Sequence, residues 1–210
     1  MSFVHLHLHT EYSLVDSVVR IEIDGDAAVG LMDAVARDAM PAVALTDQGN
    51  LFAMVKFYKA AQSAGIKPII GVDLQVHEAG ERVEPSRLVL LCQNDVGYRN
   101  LTRLVSRSYL EGQHKGRPTI ERSWLTPDNL RGLIALSGAR EGDVGRAIIG
   151  GRDSDARVAL QNWLALFGER FYLELQRTGR EGEERFIRSG RRWLPPRARR
   201  TRPPAAAHLE

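Results

Sequence analysis

The chain has 210 residues, 29 of them basic and 26 acidic, for a net charge of +3 and a pI near 9.2. That charge is uneven: residues 1–187 carry 22 basic and 25 acidic side chains, a net of −3, and the surplus comes from 188–210, with its seven arginines and four prolines. A nucleic-acid footprint needs a positive stripe on folded surface, so this mildly acidic body gives no support for direct DNA binding. Its size is that of one domain with a real core. The single cysteine, Cys92, excludes an internal disulfide and follows Leu88-Val89-Leu90-Leu91, the setting of a small buried hydrophobe. No signal-like stretch and no run of about 18 apolar residues occurs, so a cytoplasmic protein without membrane contact is expected.

Strands and helices alternate along the chain. Phe3–Leu8 reads as a strand, Ala28–Ala39 as a helix with Leu31, Val35 and Ala39 on one face, and Ala42–Leu45 as a strand. Phe52–Ser63 is a helix carrying Phe52, Val55, Lys56 and Lys59, stopped by Gly65. Pro68–Val76 and Arg87–Cys92 are strands, Tyr98–Leu110 a helix, Gly132–Leu136 a strand, Ser154–Phe167 a helix built on Leu160, Trp163, Leu164 and Phe167, and Phe171–Leu175 a strand. This β-α alternation implies a parallel sheet with a site at the strand ends. Arg20–Gly30 is a long connection marked by an Asp24-Gly25-Asp26 turn, and Asp143 reads as the cap of a short helix after the Gly138–Gly142 turn. Beyond the body, 188–210 reads as a non-native Arg/Pro-rich tail, disordered or cloning-derived, so the domain is expected to span 1–187 and to lack its last elements.

The chemistry concentrates at the start. His5, His7 and His9 alternate with Leu6 and Leu8, so in extended backbone the imidazoles share one face, about 6 to 7 Å apart for neighbours two residues on. That spacing suits chelation of a transition metal, with further ligands to come from elsewhere.

Those further positions carry a resemblance. His7-Leu8-His9-Thr10-Glu11-Tyr12-Ser13-Leu14-Val15-Asp16, Ala44-Leu45-Thr46-Asp47-Gln48-Gly49-Asn50-Leu51-Phe52 and Gly65-Ile66-Lys67-Pro68-Ile69-Ile70-Gly71-Val72-Asp73 resemble successive motifs of the polymerase and histidinol phosphatase (PHP) domain. Lys56-Phe57-Tyr58, Asn94–Leu101 and Leu136–Val144 resemble, more narrowly, the amino-terminal PHP domain of bacterial replicative DNA polymerase III alpha subunits. The resemblance runs in order from about Phe3 to Arg185. It implies an α/β fold, a distorted (β/α)7 barrel of the PHP type, here truncated at its C-terminal side.

Metal-bearing members of the family hold a trinuclear cage, and the matching positions here are uneven. His7, His9 and Asp16 fit that pattern. Gln48 stands where the Thr-Asp-His motif has its ligating histidine, Asp73 where a bridging glutamate is usual, Arg87 where a later histidine is usual, and Ala139 where some members have a cysteine. The terminal Asp-x-His pair is absent. An amide is a poor ligand, a shortened carboxylate reaches less far and a guanidinium is a permanent cation, so a degenerate metal site is expected, with Arg87 either neutralising Asp16 and Asp73 or pointing to solvent from its strand end.

The resemblance therefore implies a structural domain without a catalytic residue or cofactor of its own. Such a domain would support a polymerase, dock the separate proofreading exonuclease subunit and meet the rest of the holoenzyme. DNA and magnesium would be engaged by the parent polymerase elsewhere. The alternative is a metal-dependent phosphoesterase or 3′-5′ exonuclease using zinc, manganese or iron at His7, His9, Asp16 and Asp73.

Overall fold

A computed structural model describes residues 3–22, 30–78, 84–176, 179 and 183–193. Helix α1 (Leu31–Arg37) is followed by β1 (Ala42–Leu45), α2 (Met54–Ser63), β2 (Lys67–His77), β3 (Ser86–Cys92) and α3 (Asp95–Leu110). The short strands β4 (Gln113–His114), β5 (Arg117–Pro118) and β6 (Ile120–Glu121) precede β7 (Leu133–Leu136), α4 (Asp143–Ile149), α5 (Asp153–Phe167), β8 (Phe171–Tyr172) and α6 (Glu183–Trp193).

The sheet is mixed, which corrects the expected parallel arrangement. Its order is β1-β2-β3-β7-β8, with β6 alongside β2. β1 runs parallel to β2 and β7 to β8, but β3 is antiparallel to both β2 and β7. The cause is the connection: eight residues separate His77 from Ser86, too few for the crossover of a dozen or more residues that a parallel neighbour needs. Among the described residues no strand pair closes β8 onto β1, so the sheet is open.

Two further expectations change. The segment from Phe3 to Leu8 is not a regular strand, although it lies beside β1, with Ala44 N–H donating to His5 O and Thr46 N–H to Leu8 O. Thr46 Oγ1 accepts from Leu8 N–H at 2.8 Å and donates to Leu8 O at 3.0 Å, so a side chain intrudes into the ladder. The last strand is shorter than Phe171–Leu175, ending at Tyr172. In the first helix Leu31 and Val35 are buried as expected, while Ala39 lies past its end with φ 51°. On α2 the buried face is Phe57, Ala60 and Ala61, whereas Phe52 and Val55 are exposed. On α5 Trp163 and Phe167 are core and Leu164 is exposed.

Helix ends follow their local chemistry. Asn94 caps α3, its side chain accepting from Gly97 N–H at 3.1 Å. Gly142, not Asp143, is the N-cap of α4; the Asp143 carboxylate instead accepts from Trp163 Nε1 and Arg122 Nη1, each at 2.9 Å, with the Arg122 guanidinium 4.0 Å from the Trp163 ring centre. Helix α6 crosses residue 187, and Phe186 and Ile187 are buried, Phe186 within the main core. Residues 23–29, Arg177, Arg180 and 194–210 lie outside the described residues, and with them the Asp24-Gly25-Asp26 turn and most of the Arg/Pro tail.

Alternation along β3 separates two environments. Leu88 and Leu90 join the main core with Val72, Leu74, Leu101, Leu104, Leu133 and Trp163. Val89 and Leu91 point the other way, into a smaller cluster with Ala44 and Leu136. Asp73 pairs with Val89 and Gln75 with Arg87, so Asp73 and Arg87 are diagonal neighbours on the face of that smaller cluster. A second core joins Ile21, Leu31, Val35, Leu45 and Phe57 around β1 and α2.

Gly138 fixes how the turn after β7 meets β3. Its φ is +67°, and a Cβ there would lie 2.5 Å from Arg87 O. Gly138→Ala combines a left-handed penalty with a backbone clash and is expected to cost about 2 kcal/mol or more. Urea unfolding measures this, and a loss under about 0.5 kcal/mol would show that the turn is free to retreat from Arg87.

Candidate functional site

The residues singled out by sequence come from separate elements and meet at one end of the sheet's inner face. His7 and His9 lie on the segment beside β1, Gln48 just past β1, Asp73 on β2 and Arg87 on β3. A buried carboxylate sets the first of these in place. Asp47, 1% exposed, accepts from Thr10 N–H at 2.6 Å, Thr10 Oγ1 at 2.8 Å and Ser13 Oγ at 2.7 Å. The Glu11–Asp16 turn is thereby tied to β1, and within it Leu14 takes a left-handed φ of 56°. His9 lies just before that turn and Asp16 ends it, so their positions follow from Asp47.

Everything converges on one oxygen. Asp73 Oδ2 lies 3.4 Å from His7 Nε2, 3.1 Å from His9 Nε2 and 3.2 Å from Arg87 Nη1. The Asp73 side chain is 1% exposed and that of Arg87 17%, so this ion pair is largely out of water. The guanidinium also reaches Asp16 Oδ2, 3.4 Å from Nη2, and its Nε lies 2.8 Å from Glu141 Oε2, an ion-pair separation without hydrogen-bond geometry. Asp16 in turn faces His9 Nδ1 at 3.2 Å and accepts from the Gln48 amide nitrogen. Gln48 therefore donates to a carboxylate in this cluster.

Sequence reasoning missed two carboxylates. Glu141 sits in the short helical turn after β7, and Glu174 lies two residues past β8, its Oε1 2.7 Å from His7 Nδ1. A lone acidic residue in Phe171-Tyr172-Leu173-Glu174-Leu175 was the available signal. Two expected members stand apart. Ala139 is buried in the main apolar core, and His5, despite sharing the histidine alternation, stacks edge-on against Phe3 at 4.6 Å.

These contacts set protonation. Burial, the largest single effect on His7, opposes its charge, but hydrogen bonds and negative charge from Asp73 and Glu174 outweigh it and raise the pKa from 6.5 to about 10. Burial likewise opposes ionisation of Asp73, yet hydrogen bonds from His7 and His9 and the charges of His7 and Arg87 lower its pKa to about 2. At neutral pH His7 is an imidazolium between two carboxylates.

His7, His9 and Asp73 could still hold an ion, since their ligating atoms all lie within 4.8 Å of one another. Among the described residues Asp73 Oδ1 and Glu174 Oε2 are buried without a hydrogen-bond partner, which leaves acceptor capacity beside that group. Two features oppose loading: His7 must first lose its Nε2 proton, and Arg87 already stands against the one carboxylate of the set.

The PHP domain family model matches residues 5–178. This chain belongs to the PHP family. It is 50% identical over 183 residues to DNA polymerase III subunit alpha of Pseudomonas fluorescens, covering 87% of the chain. The corresponding subunit of Pseudomonas aeruginosa is 49% identical over 187 residues, and that of Escherichia coli K12 40% over 185. The chain spans 15% of the length of each of these relatives. Among solved structures, a putative metal-dependent phosphoesterase from Bifidobacterium adolescentis has a TM-score of 0.49 at 11% identity, covering 91% of this chain and 84% of that one. A likeness at that level bears on neither activity nor cofactor. The family match and the mixed helices and strands bear out the α/β class and the PHP type that the motifs imply, while the strands form no closed barrel among the described residues.

The PHP cluster makes stability depend on pH with a definite sign. His7 has its pKa raised above 6.5, so its contribution is whole below about pH 6.5 and lost as pH rises through about 10. That contribution is on the order of a few kcal/mol. Thermal melts of the wild type are expected to fall steadily between those limits, and His7→Gln to flatten the fall. An unchanged slope in the variant would assign the pH dependence to other groups.

Proposed function

We propose that this PHP domain is a non-catalytic part of a replicative DNA polymerase alpha chain, its metal site degenerate, acting as structural support and as the docking platform for the proofreading exonuclease subunit. The observation that carries this reading is Arg87. Its guanidinium lies 3.2 Å from Asp73 Oδ2, the oxygen that both histidines also face, and a permanent cation there neutralises the carboxylate that a divalent ion would otherwise bind. Gln48 donates to Asp16 instead of offering a lone pair inward, and Ala139 supplies no donor at all. A platform needs a rigid fold more than a reactive centre, and a charge network centred on the buried Asp73 and reaching the Glu11–Asp16 turn, β3 and the ends of β7 and β8 supplies one.

A second reading rests on a specific observation: His7, His9 and Asp73 with the unpartnered Asp73 Oδ1. These residues would hold one ion rather than a cluster, giving a metal-dependent phosphoesterase or 3′-5′ exonuclease in which the ion supplies Lewis acidity. In either reading the polymerase reaction, with its magnesium, would belong to the rest of a parent chain like those relatives, of whose length this chain spans 15%.

Calorimetry with the exonuclease subunit, paired with turnover of a generic phosphomonoester, separates the two readings. The platform predicts saturable association and no turnover sensitive to a chelator. Absence of association together with chelator-sensitive turnover would overturn it in favour of the hydrolase.

A further inference from the structure

Glu174 stands 167 residues from His7 in the chain and 2.7 Å from its Nδ1 in space. It follows the edge strand β8, whereas His7 lies on the segment beside β1 at the opposite edge of the sheet. No strand pairing joins those edges among the described residues, so this side-chain contact bridges the gap in the open sheet. Its surroundings hold Glu174 in place: Ser137 Oγ accepts from Glu174 N–H at 3.0 Å, and Gln176 donates its amide to the same Oε1 at 2.8 Å. The Glu174 side chain is 11% exposed and that of His7 13%, so the contact is shielded from solvent competition.

We propose that Glu174 is the positioning residue of the site: by accepting from His7 Nδ1–H it turns Nε2 of that ring towards Asp73 and His9, and it latches the free edge after β8 onto the amino-terminal segment. An imidazole has two nitrogens and one ring plane, so fixing what Nδ1 binds fixes where Nε2 points. The segment carrying His7 forms no regular ladder among the described residues, and the bond from His7 to Glu174 ties it to the chain after β8. Site assembly and sheet closure are then one event. This holds whether Arg87 or an ion neutralises Asp73, so it stands apart from the choice between the two functional readings.

The test uses the full chain, with Glu174→Ala, which removes the acceptor, and Glu174→Gln, which keeps an acceptor oxygen without the charge. Amide exchange is read separately over residues 5–10 and over α5, and the ring-nitrogen NMR signals of His7 report which nitrogen carries a hydrogen bond. A charge-assisted bond of this kind corresponds to about ten- to a hundredfold in local opening. Glu174→Ala is expected to speed exchange of residues 5–10 by that factor while α5 stays protected, and to erase the Nδ1 hydrogen-bond signature; Glu174→Gln should restore the signature and most of the protection. If Glu174→Ala leaves both His7 signals and exchange at 5–10 as in the wild type, the proposal fails. Equal acceleration in α5, or a glutamine variant no better than alanine, also overturns it, because either marks general loss of packing.

Discussion

The structure turns on the burial of one carboxylate. Asp73 is taken out of water on the interior strand β2, and an ionised carboxylate there is tolerable only with charge and hydrogen bonds around it. His7, His9 and Arg87 all meet its Oδ2, and each of those groups is itself held by a further carboxylate: Glu174 on His7, Asp16 on His9, and Asp16 with Glu141 on Arg87. Because these partners come from the segment beside β1, from β3 and from the ends of β7 and β8, satisfying one buried charge fixes the relative placement of most of the sheet.

The same network balances a cluster of acids and histidines with the protein's own positive charge. A cluster of acids and histidines emptied of cations would repel itself apart. Here positive charge is supplied covalently by Arg87 and by protonation of His7, and the amide of Gln48 adds a donor to Asp16. These contacts hold the elements that carry the cluster together. The unpartnered Asp73 Oδ1 and Glu174 Oε2 remain as acceptors beside three potential ligands.

How much of this was legible in the sequence depended on the range of the interaction. His7, His9, Asp16, Gln48, Asp73 and Arg87 each sit in a local motif matched to the family's pattern, and the structure brings them together although the regular parallel alternation expected around them is not what it shows. Glu174 and Glu141 carry no such local mark, since their partners lie far away in sequence and a single acid in an apolar run looks like an ordinary alternating position. The antiparallel course of β3 was available from the short gap before Ser86, but regular alternation elsewhere favoured the parallel reading. Thr46 illustrates a third limit: its hydroxyl replaces a ladder contact to Leu8, and no periodicity announces that a side chain will break a strand. Ala139 shows the converse, a motif position whose side chain joins the apolar core.

The central claim is that Arg87 takes the place of a cation at Asp73. Equilibrium dialysis of zinc into the wild type and into Arg87→His tests it most directly, because the substitution removes the guanidinium and returns an imidazole to that position on β3. The account predicts far less than one equivalent in the wild type and about one in the variant. A wild type that retains a full equivalent through dialysis, with the variant no different, would contradict it.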